Sequence, residues 1–415
     1  MTQNTTEAPK RPAPEAEKTP GARESILKDI LSGSWLVSVL AIVIALIIGG
    51  VLIALSDEDV RATMGYFFAR PSDFFTAAWH SVWDAYMALL RGAVFDWKAS
   101  NFERSIRPLT ESMVYASPLI FTGLGMTLAF RSGLFNIGGQ GQVVLGAIIS
   151  CFFGYALHLP VGLHVLVALL GGLLGGALWA SIAGVLKART GANEVIVTIM
   201  LNSISGFLLT YLLKQGWFTQ TGQNTPITTS IDDNAALATI LPAPFRLHWG
   251  FLLAILVTWA VWWLLERSTI GFEFRAVGEN PQAARTAGIS VGKVTILVMA
   301  MAGALAGLGG SMQSLGTEHS LAEGVGGSIG FDAITVALLG RSKPVGTFFA
   351  GLLFGAFKAG GYLMQAQTGT PIEIVLVVQS VIVLLIQENR NERALRLLAH
   401  RDNTKAAGTG PGTDT

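Results

Sequence analysis

The chain has 415 residues, 51% of them hydrophobic and only 13% charged, with 48 glycines and a mean hydropathy of +0.53. Soluble domains carry about 25% charged residues, so the composition excludes an ordinary soluble enzyme or binding module and requires an integral membrane protein. A net charge of +1 gives no reason to expect a nucleic-acid partner, and the single cysteine, Cys151, excludes an intrachain disulfide.

Residues 1–34 form a polar tail whose Pro, Glu, Lys and Thr content is too poor in apolar side chains to fold. It is too long and too mixed in charge for an ordinary signal peptide, so residues 35–55 read as a first, uncleaved membrane span. Residues 56–107 interleave Phe67, Phe68, Phe74, Phe75, Trp79, Trp83, Tyr86 and Trp97 with Asp and Arg. That density of aromatics suits the headgroup layer and predicts interfacial helices on the outer face, with a small extramembrane cap as the alternative.

Apolar runs then follow near 109–130, 134–157, 162–186, 192–213, 248–266, 294–314, 329–340, 344–366 and 371–387. With the first span this predicts an all-α polytopic membrane protein of about ten segments, one transmembrane domain over residues 35–390. The run at 329–340 is short for a full crossing and reads as a half-helix or a tilted, buried segment. Cys151 lies within a run and reads as a small buried hydrophobe. Residues 391–415 form a second polar tail, Gly- and Thr-rich from 402 onward.

Lys187, Arg189, Arg267, Arg275, Arg285, Lys293, Arg341 and Lys343 alternate with the predicted spans so that they share one side with both tails. The positive-inside rule makes that side the cytoplasm, with both termini there; residues 215–250, nearly free of Lys and Arg, face the other way. Gly172-Leu173-Leu174 recurs as Gly351-Leu352-Leu353, and Gly191 with Glu194 as Gly369 with Glu373. The spans assign these halves opposite directions, the pattern of an inverted repeat. Small residues at spacings of four, Gly172 with Gly176 and Gly303 with Gly307 among them, predict close helix crossings.

Six histidines without metal-ligand spacing, and no nucleophile with an evident base, leave no catalytic or metal set to name. The segment GISVGKV, residues 288–294, is one residue short of a phosphate loop and has Val where Ser or Thr is needed. Candidate pathway residues are polar groups at membrane depth. In FNIGGQGQ, residues 135–142, Asn136, Gln140 and Gln142 stand among glycines, where amides can meet a solute or cap helix ends. Glu194, Thr198, Asn202 and Ser205 share one helical face behind Asn193 as a cap; Asn202 reads equally as pathway or as interhelical glue, and Glu194 as structural or gating. Asp332 and Lys358 are the deepest charges, read as an ion pair that fixes packing or, for Asp332, as a solute contact.

Between two spans lies ERSTIGFEFRAVGENPQAARTAGISVGK, residues 266–293. Asn280 is predicted to cap a two-turn helix with Pro281 at its first position and Gly288 as its left-handed stop. So short a helix, with alanine as its apolar content, is marginal alone and suits docking into a partner's groove.

The stretch GENPQAARTAGIS resembles the coupling loop of bacterial ABC importer permeases. It is most similar to the branched-chain amino acid, ribose and nucleoside permease family, and within it to the nucleoside branch served by a BMP-type lipoprotein. FNIGGQGQ and GANEVIVTIMLNSIS, residues 191–205, resemble the same family, and the likeness covers roughly 109–386. Arg275, Gly278, Glu279 and Asn280 match its approach sequence, Ala283, Ala284 and Gly288 its small positions, and Arg285 lies between them. Gln282 replaces the Glu of the wider importer motif. The resemblance implies a non-enzymatic permease with a cytoplasmic coupling loop at 267–293. Nucleosides would enter by alternating access, with branched-chain amino acids or pentoses as alternatives. The implied partners are ABC ATPase subunits, a second permease copy or homologue, an extracytoplasmic binding lipoprotein and the bilayer of a bacterial cell membrane. ATP and Mg would be handled by the ATPases, with no cofactor on this chain. An ion-coupled secondary transporter is the reading from another class, disfavoured by the absence of a chain of intramembrane carboxylates.

Overall fold

The computed structural model describes residues 34–219 and 226–385. The tails expected at 1–34 and 391–415 lie outside these residues, apart from Ser34. Every regular element described is helical, with two isolated β-bridges at Thr219–Thr228 and Thr239–His248. In chain order the helices are α1 (Ser34–Ser56), α2 (Glu58–Met64), α3 (Pro71–Ala93), α4 (Phe102–Arg131), α5 (Gly139–Ala156), α6 (Leu163–Thr190) and α7 (Glu194–Leu212). They continue as α8 (Gly250–Arg267), α9 (Thr269–Glu279), α10 (Pro281–Thr286), α11 (Val291–Met312), α12 (Ile329–Leu339), α13 (Pro344–Thr368) and α14 (Glu373–Leu385). Seven are long and apolar enough to cross a bilayer, namely α4 to α8, α11 and α13; α1, α12 and α14 contribute shorter apolar stretches.

Two boundaries differ from those read in the sequence. Helix α4 starts at Phe102, inside the stretch assigned to interfacial helices, and runs for 30 residues through Pro108 and Pro118. Each proline ring removes one backbone donor; Pro118 lies within the buried stretch from Ala116 to Ala129, whereas Pro108 is half-buried between the exposed Arg107 and Leu109, and the helix continues through both. Helix α11 does not stop near 314; it widens into a π-turn, Gln313–Glu318, ending at His319 in the left-handed region. Helices α2 and α3 do form in the aromatic-rich segment. Phe68, Phe75, Trp79 and Trp83 are exposed there.

Helix α11 is the axis of the bundle, packed against α4, α5 and α6. Its crossing with α6 is backbone on backbone: a Cβ at Gly176 would strike the Gly303 carbonyl, and one at Gly307 the Gly172 carbonyl. Only glycine permits that approach, so the four-residue spacings set the core crossing and run α6 and α11 antiparallel. Helix α13 pairs antiparallel with α4, from the Thr127–Thr347 hydroxyl bond of 2.7 Å at one end to Gly355 against the Ser112 carbonyl toward the other. Gly191 and Gly369, the two repeat-related glycines, both end long helices in the left-handed conformation, at φ 71° and 69°.

The loop over 226–249 folds back on the π-turn. Leu237 N donates to Leu315 O at 2.9 Å, Ile231 N to His319 O at 3.0 Å and Asp232 N to Gly154 O at 2.8 Å. Beneath it, buried Cys151 approaches Thr228 Oγ1 at 3.6 Å.

Candidate functional site

Three neighbouring features at and between the ends of the bundle could serve transport: an amide cluster, a small exposed helix and a polar cavity. The amide cluster is FNIGGQGQ, folded as the turn into α5. Asn136 and Gln142, 0% and 1% exposed, exchange reciprocal amide bonds of 3.1 Å, and Asn136 Oδ1 also accepts from Gly138 N at 2.9 Å. Asn202 on α7 accepts from Gly141 N at 2.8 Å and donates to Ile137 O at 2.9 Å. Thr198 is buried against Gly138 and returns its hydroxyl to Glu194 O at 2.7 Å. These hydrogen bonds knit α7 to the turn and occupy the buried amides. Gln140 points the other way: its Nε2 donates to Gly327 O at 2.8 Å and its Oε1 accepts from Gly330 N at 2.9 Å. It therefore braces the glycine-rich entry to α12.

The same turn meets the basic end of the bundle. Glu194 pairs with Lys187 and accepts weakly from Phe135 N at 3.5 Å. Gly133, at φ 70°, lies where a Cβ would be 3.1 Å from Gly278 on α9, so the loop before α5 rests directly on the approach to α10. Glu266 clamps this junction, accepting from Arg131 at 2.6 Å and Arg275 at 2.9 Å.

The exposed helix is α10. Asn280 Oδ1 accepts from Gln282 N at 3.0 Å and Ala283 N at 3.1 Å, and Pro281 occupies the first turn. Gly288, at φ 85°, ends it, while Ile289 N returns to Ala284 O at 3.0 Å. Ala284, 3% exposed, faces the protein; Glu279, Asn280, Ala283, Arg285 and Gly288 face outward. Local cap chemistry thus folds the six-residue helix where the sequence placed it, and its outer face is small and polar.

The cavity, of about 420 Å³, lies between the first half of α4, the π-turn, the glycine-rich turn 324–327 and the second half of α13. Tyr115 and Tyr362 form one wall, ring centroids 5.5 Å apart. Gln313 Nε2 donates to Glu318 Oε1 at 3.0 Å on the opposite wall. Arg246 reaches in from the 226–249 loop, gripped by both carboxylate oxygens of Glu111, which also draws Arg107 to 3.6 Å. Hydrogen bonding to Glu111 raises the Arg246 pKa further, so its charge is fixed.

Lys358 also lines a second, smaller space of about 190 Å³ beside Asp332, and the pair stands 3.9 Å apart while Ser328 Oγ donates to Asp332 Oδ2 at 2.6 Å. Asp332 and Lys358, read from the sequence as an ion pair or, for Asp332, a solute contact, thus lie within ion-pair distance beside the smaller space. Tyr115, Tyr362, Gln313, Glu318 and Arg246 were not singled out in the sequence. The available signal was the Gln313–Glu318 interruption at the end of an otherwise apolar run; the tyrosines carried none, since aromatic residues in apolar helices are ordinary core.

A family model described as branched-chain amino acid transport system / permease component matches residues 109–387. The chain is 38% identical over 277 residues to the guanosine ABC transporter permease protein NupP of Bacillus subtilis (strain 168), covering 66% of this chain and 80% of that one. It is 37% identical over 296 residues to the nucleoside ABC transporter permease protein NupB of Lactococcus lactis subsp. cremoris (strain MG1363), with 68% and 79% covered. It is also 33% identical over 287 residues to the glucose ABC transporter permease protein TsgB13 of Haloferax volcanii, with 67% and 75% covered. No solved structure matches the chain.

Proposed function

The chain belongs to the branched-chain amino acid transport system / permease component family and is a multi-pass permease subunit, and from that premise we propose that the ABC importer it serves takes up nucleosides. The observation that carries the substrate class is the similarity to two permeases named for guanosine and nucleoside transport, above that to one named for glucose. Nucleosides are neutral and polar. A route that binds them needs hydrogen-bonding groups and aromatic faces without a net charge to neutralise, and the cavity chemistry is of that kind.

In this reading α10, with Glu279, Asn280, Ala283, Ala284, Arg285 and Gly288, docks into a partner ABC ATPase, which binds ATP and Mg and does the hydrolysis. A second permease subunit completes the pathway, and an extracytoplasmic binding lipoprotein delivers solute at the opposite face. The basic end of the bundle is the cytoplasmic one, with both termini there in a bacterial cell membrane. Residues 35–390 form the permease domain, with the 56–107 region at the outer interface. Alternating access follows if ATP binding favours one of two packings of the bundle, since a nucleotide shifts an equilibrium only by its different affinity for the two states. Motion of α10 has a short mechanical route inward, through Gly278 on Gly133 to the FNIGGQGQ turn.

The test is uptake of radiolabelled guanosine, cytidine, ribose and glucose into cells expressing the permease with its ATPase and binding protein. Nucleoside uptake abolished by a hydrolysis-deficient ATPase supports the assignment. Uptake of only the sugars rejects the nucleoside substrate, and uptake that continues without any ATPase rejects the importer class.

A further inference from the structure

We propose that the cavity walled by Tyr115 and Tyr362 is the solute-binding site of this permease, and that it selects a neutral solute carrying both a flat unsaturated ring and hydroxyls, a nucleoside. This deepens the nucleoside reading and rests on it. The amide cluster of FNIGGQGQ, the stronger candidate in the sequence, then serves as the site's scaffold.

The first argument is hydrogen-bond capacity. Asn136, Gln142 and Asn202 each commit both the nitrogen and the oxygen of their amide to one another or to the α5 turn, and the first two are almost fully buried. A solute could reach them only by breaking several bonds at once. In the cavity, Gln313 spends one amide hydrogen on Glu318 Oε1, and among the described residues neither its carbonyl nor the second carboxylate oxygen of Glu318 has a partner. An amide edge beside a carboxylate oxygen can accept ring N–H groups and ribose hydroxyls.

The second argument is shape. About 420 Å³ falls in the range of roughly 300–1,000 Å³ typical of small-molecule sites. The two tyrosine rings present a tilted aromatic wall at an interplanar angle of 35°, on which a base can stack. The π-turn also lines the cavity, an irregular backbone of a kind recurrent at functional sites.

The third argument is connection. Gln140 holds both Gly327 and Gly330, so the turn that closes one side of the cavity is tied to the segment resting on α9 and α10. Lys358 lines both this cavity and the smaller space beside Asp332, bridging the site and the start of α12. Gln140 is therefore a positioning residue, acting through backbone it does not share with the solute.

The experiment uses the assembled transporter in proteoliposomes at saturating loaded binding protein, with native protein, Tyr362→Ala, Tyr362→Phe and Gln313→Ala compared for uptake and for ATP hydrolysis. Loss of a stacking ring is expected to lower nucleoside uptake about tenfold in Tyr362→Ala and to spare Tyr362→Phe. A second arm places a cysteine at Gln313 in a Cys151→Ser background and follows labelling by a water-soluble maleimide, which guanosine should slow and ribose should not. Native nucleoside uptake with unaltered Tyr362→Ala uptake and unprotected labelling would overturn the site. Protection by ribose equal to that by guanosine would overturn the ring-selective chemistry. If native protein imports a sugar and no nucleoside, the functional reading falls; protection by that sugar would then keep the cavity as the site and reject only the nucleoside.

Discussion

His248, 1% exposed, accepts from Gly250 N through Nδ1 at 3.1 Å, which leaves Nε2 protonated and without a partner against Gly316 of the π-turn. Burial, with His319 nearby as a second cause, pulls its pKa down from 6.5 to about 4. A histidine whose folded pKa is depressed binds fewer protons than in the unfolded chain between those values, so the folded packing loses stability as pH falls from about 6.5 toward 4. The full effect is on the order of 3 kcal/mol, enough to loosen the 226–249 loop before the bundle melts. Hydrogen exchange of residues 237–249 in nanodiscs should accelerate over that window, and a His248→Phe variant should flatten the response; an unchanged pH profile in the variant would assign it elsewhere. Asp332 and Lys358 invite a different residue-scale test. Breaking a partly buried pair leaves one charge uncompensated at a cost of about 3–5 kcal/mol, so Asp332→Asn should reduce the folded fraction in the membrane. Asp332→Asn with Lys358→Met should restore part of it, and a double variant no better than the single one would show that the 3.9 Å contact is incidental.

Among elements, α10 is the most legible from sequence. Cap, proline and glycine each act on the backbone within a few residues, and all three occur where the sequence placed them. Asn280→Ala should cost about 1 kcal/mol of cap energy, a large share for six residues, and uptake should fall while the amount in the membrane stays constant. An Ala283→Asp, Arg285→Glu double variant, changed only on the exposed face of α10, should insert normally and lose uptake; retained uptake would remove α10 from the coupling path. The α6–α11 crossing was equally readable, because glycines at spacings of four mean close contact wherever helices pack in lipid. Gly176→Leu should prevent the crossing outright and be seen as loss of monodisperse protein in detergent. The start of α4 was not readable: Pro108 argues locally for a boundary, yet the helix runs from Phe102 through it into the stretch packed against α11 and α13. The amide cluster was legible as polar groups among glycines, but their partners are 2 to 190 residues away, and no local pattern distinguishes a satisfied amide from one waiting for solute. The cavity was least legible because its walls come from α4, the π-turn and α13, widely separated in sequence.

At the scale of the whole molecule, the contacts form a continuous train from α10 to the cavity: Gly278 on Gly133, the turn at 135–142, Gln140 on Gly327, then the cavity wall. Contiguity alone does not establish coupling; a two-state element biased from both ends does. Gln140→Leu should therefore uncouple the transporter, leaving ATP hydrolysis by the assembled complex near native while uptake drops, whereas a purely structural defect would depress both together. That separation is measurable in the same proteoliposomes.

Cys151 gives this molecule an optical and chemical address of its own. The sole thiol of the chain is sealed under the 226–249 loop beside Thr228, with the neighbouring α5 terminus held by Asp232. A water-soluble thiol reagent that reaches Cys151 therefore reports displacement of that loop. If transport lifts it, labelling should be faster with ATP than without, with no residue changed, and equal rates would show that the roof stays closed.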